Sequence, residues 1–550
     1  MFTKKTLIVL LSIALALSLG MLTGCEEGEP ETEEAIEEPL EEPSEEELED
    51  TKPFFAKELD DSQRMQSDSN MVRNLDTKLF TELADNRMGN VDFMREDDYI
   101  YEPGFIKYHV ECGLKWVRLG IDHAIFTGFD LKERGHSTRL EDRHISTIKG
   151  FDDAGINVIC CLIYWDIKAG GQEIYSTQHY TPHYKRFREE QEVERFLEFV
   201  RETVRELKGS VAYYELLNEQ NVPPALYYYR GTQQDVRLPD YINLIKRTVP
   251  VIKEEDPEAK IAVGAVGNIQ KGWDDIGGLG YLFGLLESEA MPLVDAVTFH
   301  PMYNITPQGE ELHKYVVEVD YGDHKPMSPE EIQAYYDSYP ELLQELYETA
   351  VEHGFSGVFI ADEISYWSPA FIRAVDLHYP APNLVFPEIQ AAKYHVRAIM
   401  LHLGMDMMAI ATAENHPIVI RNLSTVMSGH EAINILVELE IDYEVPVAYC
   451  SFRYPNGDRM LAIWTDDVAV DEDSGVPAKI TFPGITAQSV TGIDVLHGLE
   501  HKLSFEVDGE STVVSDILVK DYPIMIHLVN PEMSDEFEET TGPGFHRLNR

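Results

Sequence analysis

The chain has 550 residues, with 98 acidic and 45 basic side chains and a formal net charge of -53 at pH 7. Such an excess of negative charge argues against nucleic acid or an anionic membrane surface as a binding partner. The length exceeds one ordinary hydrophobic core and is sufficient for a barrel with a second domain.

Residues 1–25 have the pattern of an export signal. Lys4 and Lys5 precede an apolar run, Leu7–Leu19, which is short for a membrane span. The following Leu22-Thr-Gly-Cys25 resembles the lipobox of bacterial lipoproteins, which implies that Cys25 is lipidated and anchors the chain to a lipid bilayer. An ordinary secretory signal or an uncleaved anchor is the alternative, and each of these exports the protein to the cell surface or periplasm.

The next segment, residues 26–52, is predicted to be a disordered tether. Residues 26–50 contain 15 acidic side chains, three prolines and no basic residue. Like charges repel and little apolar surface can be buried, so an extended chain is expected. The rest of the chain is acidic as well, because these 15 charges account for only part of the total.

Residues 53–440 alternate strand-like apolar runs with helical patterns. This alternation predicts a parallel sheet, and eight such units predict a (β/α)8 TIM barrel. An open doubly wound sheet is the less favoured alternative, because no glycine-rich phosphate loop follows an early strand. The predicted strands are, in order, Asn90–Met94, Gly113–Leu119, Gly155–Trp165, Val211–Leu217, Lys260–Val266, Val294–His300, Gly357–Glu363 and Met407–Thr412. A last helix is predicted from about His430 to Leu439.

A different pattern begins at residue 441. Short alternating runs separated by turn sequences such as Pro-Asn-Gly and Asp-Gly predict a C-terminal antiparallel β-sandwich at residues 441–530. Residues 531–550 are polar and predicted to be a frayed tail. The four remaining cysteines fit neither a disulfide framework nor a metal site, so buried thiols are favoured over a disulfide.

Two predicted strands end in a glutamate. Val211–Leu217 is followed by Asn218 and Glu219, and a second buried run ends at Glu363. The carboxyl ends of barrel strands are where such enzymes keep their catalytic groups. A lone Asn-Glu pair is more often a loop cap, but two such glutamates are the groups that glycoside hydrolysis requires.

The order of these motifs resembles clan A of the retaining glycoside hydrolases. The segments Tyr214-Glu-Leu-Leu-Asn-Glu-Gln-Asn and Ile360-Ala-Asp-Glu-Ile are most similar to the β-xylosidase and α-iduronidase branch. The resemblance implies that Glu219 is the acid/base and Glu363 the nucleophile, with Asn218 bound to the sugar 2-hydroxyl. An ionised Glu363 is then expected to raise the pKa of Glu219 by like-charge repulsion.

Further site residues follow from the same resemblance. Arg118 is expected to hold Glu363 ionised, and a structural salt bridge is its alternative role. His300 and Tyr303 are expected to orient the nucleophile and line the sugar site, and a core histidine is the alternative for His300. Trp367 is a candidate platform for a sugar ring, as are its neighbour Tyr366 and the pair Tyr164-Trp165, although plain packing is the commoner role of any one such ring.

The sequence departs from the family at two points. The familiar Asn-Glu-Pro is Asn-Glu-Gln here, which is expected to be harmless, and the eighth strand ends Ala411-Thr-Ala-Glu-Asn415 without the tryptophan that stacks the sugar in many members. Because of the second departure, the sequence does not indicate which sugar or which glycosidic linkage is recognised. The expected substrate is an oligo- or polysaccharide, and no cofactor or metal is expected.

Two other functions fit parts of the sequence. His497-Gly-Leu-Glu-His501 matches a zinc-protease pattern, but strand-like runs flank it and Gly498 interrupts it, so a hairpin turn is predicted. A surface lipoprotein that binds carbohydrate without cleaving it is the stronger alternative to the enzyme.

Overall fold

The computed structural model describes most of the chain beyond the predicted tether. The described residues are 64–66, 71–94, 101, 103–122, 140, 142–164, 186–221, 236–267, 278–301, 307, 329–366, 368, 386–411, 416–441, 446–535 and 537–548. The predictions for Cys25, Tyr303, Trp165 and Trp367, and for residues 1–52, lie outside these ranges.

Eight parallel strands form a closed barrel, as the alternating pattern predicted. Each strand pairs with the next along the chain, and the last pairs with the first. Their central residues are buried on both faces, which is why they read as unbroken apolar runs. The barrel strands are β2 (Met88–Met94), β3 (Trp116–Asp122), β4 (Asn157–Ile163), β5 (Tyr213–Leu216), β6 (Lys260–Val266), β7 (Ala296–Phe299), β8 (Val358–Ile364) and β9 (Met408–Ala411).

A helix follows every barrel strand. The helices are α1 (Pro103–Cys112), α2 (Asp142–Asp153), α3 (Glu190–Leu207), α4 (Leu238–Glu255), α5 (Gly278–Leu286), α6 (Pro329–Glu352), α7 (Glu388–Gly404) and α8 (Pro417–Val426). Helix α3 shows why they pack on the sheet: Val193, Phe196, Val200 and Val204 repeat at three- and four-residue spacing and are all buried. Among the described residues, no helix combines the length and the apolar character that crossing a membrane requires.

The interior of the barrel has two layers of different chemistry. The lower layer is apolar and consists mainly of the inward-facing side chains of Trp116, Ile159, Tyr213, Ile360 and Ile410. Above it the inward positions of β3, β5, β7 and β8 are polar and fully buried. The polar layer therefore has an apolar floor and lies at the carboxyl ends of the strands, where barrel enzymes carry out their chemistry.

The C-terminal region is an antiparallel assembly of sheets, as predicted. Its strands, with one from the N-terminal part of the chain, are β1 (Val72–Asn74), β10 (Glu431–Ile435), β11 (Glu438–Ile441), β12 (Val447–Arg453), β13 (Arg459–Thr465), β14 (Val476–Phe482), β15 (Ile485–Thr486), β16 (Ser489–Asp494), β17 (Leu499–Lys502), β18 (Glu506–Asp508), β19 (Ser511–Val519), β20 (Ile524–Val529), β21 (Glu532–Met533), β22 (Glu539–Thr541) and β23 (Phe545–Leu548). The larger sheet has the order β1-β17-β16-β20-β13-β12-β10-β22, with β23 also paired to β12, and the smaller has the order β11-β14-β19-β18. Strands β15 and β21 form a separate pair.

The predicted helix from His430 to Leu439 is wrong. The eighth helix is α8, and residues 431–435 and 438–441 are strands of the two sheets. Gly429 has φ 75, a left-handed conformation that favours glycine and separates α8 from the strands. Isoleucines at alternate positions, Ile433 and Ile435, have their side chains buried in the larger sheet, a pattern that fits strand geometry better than a helix.

The predicted domain limits also need correction. The sequence pattern predicts residues 53–440 for the barrel domain, but strands from both ends of that range belong to the C-terminal sheets. Strand β1 pairs with β17, and β10 begins at Glu431. Residues 531–550, predicted to be frayed, contribute β21, β22 and β23. The tail is ordered because Phe545 packs against Trp464 and because the buried Arg547 pairs with Asp466 at 2.6 Å. The sequence pattern did not reveal these contacts, because their partners lie far away along the chain.

Candidate active site

The two predicted glutamates meet at the mouth of the barrel. Glu219 follows β5 by three residues, and Glu363 lies near the end of β8. Both side chains are buried, with 2% of each residue exposed. A carboxyl oxygen of Glu219 and one of Glu363 lie within 4.8 Å of each other. The two strand ends inferred from the sequence therefore bring the carboxyl groups of Glu219 and Glu363 close together.

The backbone that carries Glu219 is strained and held in place by β6. Glu219 has φ 45 and Leu217 has φ 68, conformations that non-glycine residues rarely adopt. The Glu219 backbone N–H donates to the carbonyl of Ala265 at 2.9 Å. The side chain of Asn221 exchanges two hydrogen bonds, each 3.0 Å, with the backbone of Gly267. Strain of this kind persists where surrounding contacts over-determine it, and it is common at functional sites.

Gln220, which stands where the resembled family has proline, contributes to the same attachment. Its side-chain amide is fully buried and donates to the carbonyl of Gly264. Gly264 has φ 122, and a Cβ there would lie 2.1 Å from the carbonyl oxygen of Thr298, so only glycine fits. The Asn-Glu-Gln sequence is thus anchored through a side chain that proline lacks.

Arg118 connects most of the polar layer. Its guanidinium donates to Glu363 at 2.6 Å, to Glu215 at 2.7 Å and to the side-chain oxygen of Asn218 at 2.8 Å. It also lies 3.2 Å from Asp362. Bonds between charged groups of this length are the strong ones, and the rigid guanidinium fixes their directions. Arg118 therefore fixes the side chains of Glu363 and Asn218 relative to each other. Its contact with Glu215 is a buried salt bridge, which is the alternative role predicted for Arg118.

His300 lies between the two glutamates. Its Nδ1 is 3.1 Å from Glu219 and 3.2 Å from Glu363. Burial lowers the pKa of His300 to about 4, so the ring is neutral near pH 7. A neutral ring with a proton on Nδ1 can donate a hydrogen bond to either carboxylate.

Sequence reasoning missed Glu215 and Asp362. Both are fully buried beneath the glutamates. Burial on its own would raise the pKa of Glu215, but the charge of Arg118 offsets it and holds that pKa below the ordinary value. Burial raises the pKa of Asp362 well above its ordinary value. The sequence does contain a signal for Glu215. It lies two positions after Tyr213 in an apolar strand, so both side chains face the interior of the barrel. A charge buried there needs a partner of opposite charge.

The aromatic candidates that the structure describes do not line the site. Tyr164 packs against Phe199 with ring centroids 5.4 Å apart, and Tyr366 stacks on Tyr394 at 5.8 Å. Both rings are buried in the layer between strands and helices, which is the plain packing role. Tyr303 and Trp367 stay predictions, because they lie outside the described residues.

One group of side chains in the described part of the chain could hold a metal ion. The potential ligand atoms of Glu219, His300 and Glu363 all lie within 4.8 Å of one another. Arg118 donates to Glu363 at 2.6 Å, however, and its positive charge repels a divalent cation at that position. Proton chemistry between the two carboxyl groups fits these contacts better.

The His497-Gly-Leu-Glu-His501 pattern spans the hairpin turn after β16 and the first residues of β17, and not a helix. His497 contacts Asp494 at 2.8 Å. His501 is a strand residue whose backbone pairs with Gly492, so the two histidines do not share the helical face that the zinc pattern requires. The cysteines Cys112, Cys160, Cys161 and Cys450 are buried thiols, as expected.

Comparison with known proteins gives only distant likenesses to solved structures. Neither a family model nor a curated protein sequence matches the chain. The catalytic domain of GH30 xylanase C from Talaromyces cellulolyticus superposes with a TM-score of 0.48 and 11% identity, over 83% of this chain and 99% of that one. A family 39 glycoside hydrolase from Bacteroides cellulosilyticus gives 0.43 and 13%, over 81% of each chain. A family 51 α-L-arabinofuranosidase from Bifidobacterium longum gives 0.44 and 11%, over 84% and 98%. At these sequence identities and TM-scores, a structural likeness does not indicate the activity or the substrate of this chain. An argument about either must use the residues of the site.

Proposed function

We propose that this chain is a retaining glycoside hydrolase that cleaves O-glycosidic bonds of extracellular oligo- or polysaccharide. The observation that carries the proposal is the separation of the two buried carboxyl groups, since one oxygen of Glu219 and one of Glu363 lie within 4.8 Å of each other. Retaining enzymes place their carboxyl groups about 5–5.5 Å apart, whereas inverting enzymes need about 6.5–9.5 Å to admit a water between them. The gap between Glu219 and Glu363 suits direct attack by one carboxylate.

The surroundings of the two glutamates suggest how their roles divide. Arg118 donates to Glu363 at 2.6 Å, which stabilises the ionised form that a nucleophile needs. Two negative charges at the observed separation repel in a buried site, which favours a proton on Glu219 while Glu363 is charged. Glu219 is therefore the acid/base and Glu363 the nucleophile in this proposal.

The reaction proceeds in two displacements. Glu219 first gives its proton to the glycosidic oxygen, that oxygen leaves the anomeric carbon, and Glu363 forms a bond to the same carbon. The charge on Glu363 is then neutralised, so Glu219, now ionised, can accept a proton from water. The water oxygen bonds to the anomeric carbon and Glu363 leaves as a carboxylate, which restores the starting state with the original configuration.

His300 and Asn218 support these steps. Since the Nδ1 atom of His300 is within 3.2 Å of both glutamates, its proton can stabilise whichever one is ionised at each stage. The side-chain NH2 of Asn218 is buried and has no hydrogen-bond partner among the described residues, while its oxygen is fixed by Arg118. A sugar hydroxyl would satisfy that donor. Tyr303 is proposed to contact the sugar on the resemblance alone, and Trp367 on its position shortly after the predicted strand that ends at Glu363.

The decisive experiment is turnover of a panel of aryl glycosides by the full-length chain. Glu363→Gln should abolish phenol release, whereas the matched control Glu345→Gln, at an exposed position on α6, should not. EDTA should leave the rate unchanged, because no step uses a metal. Oligosaccharides that bind wild type and Glu363→Gln equally, with no turnover of any glycoside, would instead identify a carbohydrate-binding protein.

We further propose export and lipid anchoring through Cys25. The support is the lipobox-like sequence that follows an apolar run in residues 1–25. Labelling with a fatty-acid analogue in a bacterial host should tag the wild-type chain and leave Cys25→Ser untagged and released from the membrane fraction. A tagged Cys25→Ser protein would contradict the proposal.

A further inference from the structure

Three carboxyl groups and one guanidinium share the polar layer beneath the barrel mouth. Arg118 lies 2.6 Å from Glu363, 2.7 Å from Glu215 and 3.2 Å from Asp362. All four side chains are at most 2% exposed. Full ionisation would therefore leave two negative charges without compensation and away from water, and buried charges of that kind bind protons instead.

The surroundings of Asp362 point to the same conclusion. Neither of its oxygens receives a hydrogen bond from an N–H or O–H donor in the described part of the chain. A buried carboxylate is costly when no donor satisfies its oxygens, because an ionised carboxylate is purely an acceptor. The lack of donors therefore favours a proton on Asp362.

We propose that Asp362 is a positioning residue that keeps its proton near neutral pH. The neutral Asp362 leaves Arg118 free to direct its full charge at Glu215 and Glu363. An ionised Asp362 would compete for the guanidinium and draw it away from the nucleophile. This role rests on the proposed function, since it acts through the contact between Arg118 and Glu363.

The location of the proton on Asp362 and not on Glu215 follows from their contacts with Arg118. The guanidinium donates to Glu215 at 2.7 Å, but lies 3.2 Å from Asp362. The closer contact stabilises a charge on Glu215. In agreement, burial raises the pKa of Asp362 well above its ordinary value, whereas Arg118 holds that of Glu215 below it.

The other titratable groups that face Asp362 do not supply a compensating charge. His300 on the β7 side has Nε2 3.8 Å from Asp362 and is neutral, because burial lowers its pKa to about 4. Cys161 on β4 is neutral, because burial raises the pKa of its thiol well above the ordinary value. Glu363 adds a negative charge that favours the protonated form of Asp362. Arg118 is the one cation in this set of neighbours, and it is shared with Glu215 and Glu363.

The test compares Asp362→Asn, a neutral residue of the same shape that still donates a hydrogen bond, with Asp362→Leu. Infrared difference spectra of the full-length chain at pH 7 should show one protonated carboxyl group that is present in wild type and absent from Asp362→Asn. Glu219→Gln is the matched control, since it removes a different protonated carboxyl group. In turnover, Asp362→Leu should lower kcat/KM by about 100-fold, the loss that a small misplacement of the nucleophile produces, and Asp362→Asn should recover at least about tenfold of it.

The infrared and kinetic measurements can fail separately. A spectrum of Asp362→Asn that lacks no protonated carboxyl group overturns the proposal, and so does a band that disappears in Glu215→Gln instead. Equal kcat/KM values for Asp362→Asn and Asp362→Leu would overturn the positioning role. If no glycoside is turned over, the proposed function fails, while the infrared comparison still decides whether Asp362 holds the proton. Thermal unfolding of each variant shows whether it folds. If Asp362→Leu does not fold, the test is made with Asp362→Asn alone.

Discussion

Replacement of Arg118 by lysine tests whether the direction of its hydrogen bonds, and not only its charge, prepares the nucleophile. The guanidinium reaches Glu363, Glu215 and Asn218 at 2.6, 2.7 and 2.8 Å with separate N–H groups. A lysine ammonium keeps the positive charge but is a single point on a flexible stem, so it cannot hold all three partners in the same geometry.

The magnitude follows from the hydrogen bonds that a lysine cannot make. Hydrogen bonds to charged groups contribute about 1.5–3 kcal/mol each, and we expect the lysine to keep only one of the three. If about 3 kcal/mol of that difference is felt in the transition state, kcat/KM falls by about 100-fold, since each tenfold corresponds to about 1.4 kcal/mol. Arg118→Met removes the charge as well and leaves buried carboxylates unpaired, so it should also lower the free energy of unfolding by about 3–5 kcal/mol.

The assay is kcat/KM on the best aryl glycoside, together with urea unfolding of wild type, Arg118→Lys and Arg118→Met. We expect Arg118→Lys to fold and to lose activity mainly in kcat. Wild-type kcat/KM in Arg118→Lys would refute the role of hydrogen-bond direction. Loss of activity only in proportion to loss of folded protein would show that Arg118 is structural and nothing more.

The remaining predictions concern the acid/base, the histidine and the loop anchor. Glu219→Gln should lose at least about 100-fold in kcat on glycosides with poor leaving groups and much less on activated ones; equal losses on both would contradict its role as acid. Since the pKa of His300 is about 4, folded wild type should lose about 1.4 kcal/mol of stability per pH unit from this group as the pH falls from about 6.5 to 4, and His300→Asn should lack that contribution in pH-dependent unfolding. Asn221→Ala removes two hydrogen bonds that hold the Glu219 backbone and should lower kcat by about tenfold with KM little changed; an unchanged kcat would show that β6 anchors the loop without it.

The sequence predicted the barrel because each strand is buried on both faces and each crossover has helical periodicity. Lys260–Val266 is predicted with the limits that the structure has, whereas Gly113–Leu119 is displaced by three residues from the strand Trp116–Asp122. Apolar runs show that a strand exists, but its ends depend on pairing with neighbours. The segment after His430 is a strand and not the predicted helix, because short apolar runs fit both structures and its pairing with β12 decides between them.

The site was less predictable than the fold. Glu219 and Glu363 stand out because each ends a buried strand, but the resemblance supplied the roles of Arg118 and His300. Nothing in the sequence shows that Glu215 contacts Arg118, because they are separated by 97 positions and meet only when β3 and β5 enter the barrel. Three-dimensional packing therefore revealed the polar layer that local patterns could not.

The central claim is that Glu363 forms a covalent bond to the sugar, and azide rescue of Glu363→Ala tests it most directly. Wild type should release the phenol of an aryl glycoside with retained configuration. Glu363→Ala should be inactive alone and regain turnover with azide, giving a glycosyl azide of inverted configuration, because the small anion occupies the space of the missing carboxylate. Full activity of Glu363→Ala without azide, or a wild-type product of inverted configuration, would contradict the account.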